Sequence, residues 1–558
     1  MLAVATLLYL VGGPLVMLLV ASFKETHNAL PFEGGVPWTF QNYVDVFLNS
    51  QTYRVLVATL VFAGGSLAVS FALAIALAWL IERTDLPFRN VVFVLIVAAI
   101  GMPNVIAAIA WALLLNPTNG MLNIGLRGLF GLAGPGPINV YTIPGMIFVQ
   151  GLALVPITFL LVVAAFRAMD ASLEDAAATS GASPPVVARR IVLPLLLPAL
   201  LSALVYQFVS VVESFDIPLV IGLRGNITVL STRIFIEANP AAGLPDYGLA
   251  SAYSVFLLAI AIGPLLLYNR VIARSSRYAT VSGHSFRTRR VRLGRWKPAA
   301  VALVATFIVF IFVLPTLTLL WTSLQSFYAV PSAESIGRAS LDAYGAVLRS
   351  SAFRNAIGNT LLLGIATGLA SMTLGLLIGW ILVRGKSRLR FLLDVLAFTP
   401  HAMPGVIIGL SVLLLYLLLP LPIYGTIWII VIALTTQYVS IATRLMTGGI
   451  AQIHGHLEEA AATSGAGWGH TMRRVVLPLV LPAFLNGALL VFLLSIKNLT
   501  LALMLYSPKS VVLSTLVWNL WDKADTDETA VVGVFMICIT LTLAILLRRV
   551  GGLGSLRT

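Results

Sequence analysis

Apolar residues in this chain come in runs long enough to cross a bilayer. A spanning helix needs roughly 20 largely apolar residues for a hydrocarbon core of ~30 Å. Such runs fall near 1–22, 54–81, 91–115, 144–166, 195–222 and 248–268, and again near 299–322, 356–382, 391–418, 422–446, 479–505 and 530–547. The pattern predicts an all-α membrane protein with about 12 transmembrane helices in two sets of six. Met1–Phe23 has no basic segment before its apolar run and reads as the first spanning helix, not a cleavable signal.

The second set repeats the first. Leu173–Pro198 returns as Leu457–Pro482 with 17 of 26 positions identical and no gap. Trp79 and Trp380 lie 301 residues apart, as do Pro103 and Pro404, and Val229-Leu230-Ser231-Thr232 reappears as Val512-Leu513-Ser514-Thr515. The offset falls from 301 to about 284 between these landmarks, which places an insertion in the first half, most simply in the loop 116–143. The expected organisation is a first repeat over 1–268, a basic linker over 269–298 and a second repeat over 299–558. The repeats run parallel, related by an axis along the membrane normal.

Composition agrees: 59% of residues are hydrophobic and 10% charged, against about 25% charged in soluble domains. The net charge of +14 does not point to nucleic acid, because Arg270–Lys297 alone carries nine Arg and Lys with no acid. That stretch reads as a cytoplasmic tether beside anionic headgroups. Arg83, Arg89, Arg167, Arg189, Arg190, Arg384, Arg444, Arg473, Arg474, Arg548 and Arg549 fall on the same side if helices alternate. Both termini and both copies of the repeated loop are then expected inside. A single cysteine, Cys538, excludes an intrachain disulfide and a multi-thiolate metal site.

The repeated loop has its own local logic. Ser172 with Asp175 suits a capping box, the alanines sustain a short helix, and Gly181 can take the left-handed turn that ends it. Ser183-Pro184-Pro185 suits a second helix start, and Pro194/Pro198 and Pro478/Pro482 would set the turn back into the membrane. The pattern is an acid and two alanines, a glycine four positions on, nine residues, then Ile-x-Leu-Pro or Val-x-Leu-Pro. It resembles the "EAA" loop of permease subunits in bacterial ATP-driven importers.

That resemblance implies a surface helix that docks on a separate ATP-hydrolysing subunit. Carried over by position, the coupling residues are Glu174, Asp175, Ala176, Ala177 and Gly181, and Glu458, Glu459, Ala460, Ala461 and Gly465. Implied partners are two copies of the ATPase and an extracytoplasmic solute-binding protein. The chain would be a multi-pass protein of the bacterial inner membrane, with no cofactor of its own and with ATP and magnesium on the partner. Gly379 to Ser387 is the nearest thing to a phosphate loop. Its glycines are one residue too far apart and it ends a spanning run, so no ATP hydrolysis is expected in this chain. The linker, Glu213–Pro218 and the fused layout further resemble the ferric-iron type of permease. Ferric iron is then the first expectation for substrate, with thiamine, polyamine, sulfate or phosphonate as alternatives. A secondary transporter with parallel repeats is a remote rival, poorly served by so few intramembrane acids.

Polar residues inside spans mark a path or a partner. Glu213 and Asp216 lie in the fifth span, and Lys497 and Thr500 stand at the same places in the eleventh, beside Asn498. The resembling family often carries an acid near Asn498. Counting from Pro194 puts Glu213 ~28 Å along its helix, near the outer face, where a gate is more natural than a deep binding site. Glu213 and Lys497 either pair across the pseudo-twofold axis or satisfy themselves locally, Lys497 at the headgroups and Glu213 on Ser210 or Ser214. His401, and His454 with His456, read as structural or capping residues, not metal ligands.

Overall fold

The structure is a computed structural model that describes residues 2–26, 29–169, 176–177, 179–272, 291–385 and 389–555. Among these, ten helices are long and apolar enough to cross a membrane, and three further pairs of shorter helices form bent units. In chain order the elements used below are α1 (Ala3–Ser22), α2 (Ser50–Arg83), α3 (Arg89–Ala98), α4 (Asn104–Leu115) and α5 (Met121–Phe130). Then come α6 (Ile143–Ala168), α7 (Leu193–Val212), α8 (Leu230–Ala238) and α9 (Tyr247–Ile272). The second half holds α10 (Gly294–Ser323), α11 (Ser351–Arg384), α12 (Leu389–Phe398), α13 (Gly405–Leu418) and α14 (Ile427–Ala451). It ends with α15 (His456–Thr463), α16 (Leu477–Ile496), α17 (Leu513–Asp522) and α18 (Thr526–Ser555).

Two expected spans are not straight. The run 91–115 bends by 97° between Gly101 and Asn104, and 391–418 by 112° between Ala402 and Gly405. Pro103 and Pro404 are the cause: each pushes the residue before it out of helical geometry, leaving Met102 at ψ 125 and Met403 at ψ 121. The fifth and eleventh spans also stop short of 222 and 505, ending at Val212 and Ile496. Beyond each end the chain folds back inside the molecule. The carbonyls freed there are taken by Ser231 Oγ, which donates to Ser214 O at 2.6 Å, and by Ser514 Oγ, which donates to Asn498 O at 3.2 Å.

That serine belongs to the duplicated Val-Leu-Ser-Thr, whose other residues build the helix starts. Val229 N and Val512 N each donate to a threonine hydroxyl three residues on, at 3.0 Å. Leu230 N donates to Thr59 Oγ1 at 2.9 Å and Leu513 N to Thr360 Oγ1 at 2.8 Å. First-turn N–H groups of α8 and α17 are thereby satisfied without water.

The repeats share their packing. α2 lies along α6, and α11 along α14. In the second pair Gly375 brings the backbones together, since an added Cβ would sit 2.6 Å from the Ala442 carbonyl carbon. The insertion lies where the changed offset puts it. The connection from Leu115 to Ile143 carries α5, whereas that from Leu418 to Ile427 carries no helix.

The basic linker largely falls outside the described residues, but its end does more than tether. Val291 exchanges backbone hydrogen bonds with Arg83 and Asp85 at 2.9 and 3.2 Å. Leu293 N donates to Asp85 Oδ1 at 2.8 Å, and Lys297 lies 3.5 Å from the other oxygen. The Leu293 amide, then the Lys297 ammonium, hold the Asp85 carboxyl below the usual carboxylate range.

Candidate functional site

The coupling segments form helix-turn elements. α15 ends in a Schellman turn: Gly465 has φ +80, Gly465 N donates to Ala462 O, and Ala466 N donates to Ala461 O, both at 3.0 Å. In the first copy Ala176 and Ala177 are helical, Gly181 has φ +83, and Ala182 N donates to Ala177 O at 3.0 Å. Glu174, Asp175 and Ser172 lie outside the described residues.

The two acids of the second copy point differently. Glu459 is exposed and meets His456 Nδ1 at 3.2 Å, which gives that histidine a helix-start role. Glu458 turns back into its own chain, where Oε1 accepts from Arg384 Nε at 2.8 Å and Oε2 from Trp380 Nε1 at 3.1 Å. Ala460 and Gly465 are exposed and Ala461 half-buried. Glu459, Ala460 and Gly465 thus make a free surface, while both Glu458 oxygens are engaged from inside.

The prolines after these loops do not make a turn. Pro194 and Pro478 stand at the second position of α7 and α16, preceded by single π turns at Ala188–Val192 and Met472–Val476, and Pro198 and Pro482 lie inside the helices. A π turn stands immediately before each first proline, at a point where the missing N–H and the crowded ring disturb the ordinary ladder, and helix continues through.

Glu213, Asp216, Lys497, Asn498 and Thr500 all line one cavity of about 250 Å³ between the repeats. Glu213 caps the end of α7 as the count along the helix implies. The chain does not surface there, however. It continues into the Pro218–Gly225 and Leu230–Ala238 pair, bent by 86°, so the carboxylate faces an internal space.

No Glu213–Lys497 ion pair forms. Lys497 Nζ donates to Ile100 O at 2.9 Å, and its acidic neighbour is Asp216. The Glu213 carboxyl lies beside the backbone N–H of Gly405. Nor does Glu213 use the nearby hydroxyls: Ser214 Oγ donates to Gln150 Oε1 at 2.7 Å and Ser210 Oγ to Tyr206 O. Asp216 faces the Thr500 hydroxyl, while its Oδ1 is buried without a hydrogen-bond partner.

Several wall residues carried no duplicated signal. Asn498 Nδ2 donates to Gln437 Oε1 at 3.1 Å and to Tyr438 OH at 3.2 Å. Gln207 Nε2 donates to Thr158 Oγ1 at 2.7 Å, leaving its own Oε1 unpartnered. Their mark in the sequence was an amide within an apolar run. A second cavity of about 430 Å³ abuts the first at Glu213, Gln437 and Tyr438, and His401 stacks there on Tyr206 at 5.4 Å. Among the described residues no cluster of three or more His, Cys, Asp or Glu is placed to hold a metal.

Two bundles with matched surface helix-turn elements and a shared polar cavity define a membrane component of a solute transporter. The chain belongs to the family described as "Binding-protein-dependent transport system inner membrane component", matched twice, at residues 70–277 and 371–553. It is 26% identical over 405 residues to the ferric transport system permease protein FbpB of Actinobacillus pleuropneumoniae, covering 72% of this chain and 58% of that protein. It is 28% identical over 391 residues to a putative ferric transport system permease protein FbpB 1 of Haemophilus influenzae, covering 69% and 59%. A putative 2-aminoethylphosphonate transport system permease protein PhnV of Salmonella typhimurium is 28% identical over 265 residues, 46% of this chain and 96% of that protein. The alignments thus span somewhat under two thirds of the ferric relatives' length.

Proposed function

We propose that this chain supplies both transmembrane halves of an ATP-dependent importer, moving a solute delivered by an extracytoplasmic binding protein into the cytoplasm. The observation that carries it is the pair of exposed elements, each ended by a left-handed glycine, at equivalent points of two fused bundles. Each docks one ATPase subunit, and because the elements are alike, two copies of one ATPase serve both. ATP and magnesium belong to that partner. Both termini and both loops lie on the cytoplasmic side of the inner membrane, following the Lys and Arg distribution.

Ferric iron is the substrate this reading favours. Two acidic side chains, Glu213 and Asp216, and several amide and hydroxyl groups line the cavity against one lysine, a wall better matched to a hard cation than to a phosphonate. The relatives described as ferric permeases support the same choice, and the phosphonate relative is the second reading. The test is uptake of radioactive ferric iron by proteoliposomes holding this chain, its ATPase and its binding protein. ATP-dependent accumulation is expected, and the purified chain alone should hydrolyse no ATP. Accumulation of 2-aminoethylphosphonate but not iron would shift the substrate while keeping the class. Hydrolysis by the chain alone would overturn it.

A further inference from the structure

We propose that α11 is a strut that carries movement of the second coupling helix to the far end of the cavity, with Trp380 and Arg384 as the positioning residues that clamp the coupling helix to it. This rests on the importer reading.

At one end of the strut, Trp380 and Arg384 are four residues apart and share a helix face. They hold separate oxygens of Glu458, and Arg384 also donates from a terminal nitrogen to Ile453 O at 2.5 Å. One guanidinium thus fixes both α15 and the chain entering it. The Arg384 and Glu458 side chains are 24% and 15% exposed, so the charge-assisted bond is only partly open to screening. None of the eight residues of α15 is buried, so apolar packing does not set its direction.

At the other end, Thr360 Oγ1 accepts from Leu513 N at 2.8 Å, and Asn359 Nδ2 donates to Val511 O at 2.9 Å. The neighbouring Ser514 holds Asn498 O in the cavity wall. The 24 residues from Thr360 to Arg384 span ~36 Å of helix without an internal proline. The route by chain order is softer, since α16 follows α15 through a π turn and carries Pro482. The far-end contact exists in both halves: Thr59, the counterpart of Thr360, holds Leu230 N. Trp79 and Arg83 occupy the positions equivalent to Trp380 and Arg384.

The experiment uses the complex of this chain, its ATPase and its solute-binding protein in proteoliposomes, comparing Arg384→Met, Trp380→Phe, Arg384→Lys and Thr360→Val. The readout is stimulation of ATP hydrolysis by the binding protein, which travels the same path in reverse. Arg384→Met and Thr360→Val should keep basal hydrolysis and each lose about tenfold in stimulation, a coupling loss of ordinary allosteric size. The double variant should be no worse than either single, and Arg384→Lys should recover part of the loss. Full stimulation in either single variant overturns the strut, as does loss of bound ATPase in Arg384→Met, which would make the residue a docking element. If Arg384→Met does not accumulate, Trp380→Phe decides, since full stimulation there is equally fatal. A wild-type complex that no binding protein stimulates would instead count against the importer reading.

Discussion

Lys497 crosses from the second repeat to the Ile100 carbonyl oxygen, at the break in the third span of the first. Its counterpart Glu213 lies on the opposite side, beside the N–H of Gly405. Ile100 lies at the C-terminal end of a broken helix and Gly405 at the N-terminal start of one. A basic side chain suits the first and an acidic one the second. The opposite residue types at equivalent positions thus face opposite helix ends, with no salt bridge between them.

A double-mutant cycle separates these arrangements. Lys497→Met should cost roughly 3 kcal/mol by stranding Asp216, measured by thermal unfolding in detergent. Lys497 and Asp216 should couple by about 1 kcal/mol or more, and Lys497 and Glu213 by less than about 0.5 kcal/mol. Glu213→Lys with Lys497→Glu should be no more stable than either single change. Recovery in that swap would restore a direct pair.

The coupling turns should respond to backbone conformation alone. Nothing lies within 4 Å of a Cβ added at Gly181 or Gly465, so a substitution there meets no clash. Gly181→Val with Gly465→Val should lower transport per ATP while leaving membrane insertion intact, since a left-handed β-branched residue costs about 1 kcal/mol or more. Asparagine at both sites should behave close to wild type. Equal damage from asparagine and valine would place the effect in the docking surface.

Gly375→Ala should destabilise by about 1 to 3 kcal/mol, because the new methyl group meets the Ala442 backbone instead of a movable side chain. Thermal unfolding of the purified chain reports it, and an unchanged midpoint would show that α11 and α14 have room to part.

The linker clip should depend on acid. The Asp85 carboxyl is held below its usual range, so its contribution is present above the unfolded value and lost as pH falls through the folded one. Hydrogen-exchange protection of the Leu293 amide should persist near neutrality, begin to fall only near about pH 4, the ordinary carboxylate value, and disappear once the pH is below the lowered folded value. Asp85→Asn should weaken protection at all pH values. Protection indifferent to both changes would assign the clip to the Val291 backbone bridge.

Much of this was legible because it is written locally. Span length, the repeat and the glycine turns each depend on residues close in sequence. The bends at Pro103 and Pro404 were harder, since a proline between apolar runs leaves hydropathy unbroken while it redirects the chain. The direction of Glu458 depends on residues 74 and 78 positions away. Gln207, Gln437 and Tyr438 carry no repeat signal because their counterparts Val491, Ala153 and Leu154 are apolar.

Joining the halves in one chain has a consequence for how a solute is seen. A homodimer of one six-helix unit must present the same side chain on both sides of its axis, and its chamber cannot tell left from right. Here Asp216 faces Thr500 and Glu213 has Lys497 as its counterpart, so the chamber is acidic along one wall and basic or neutral along the other. On the importer reading proposed above, a molecule with unequal ends passing through this cavity has a preferred heading, a sense of direction that two identical halves could not give.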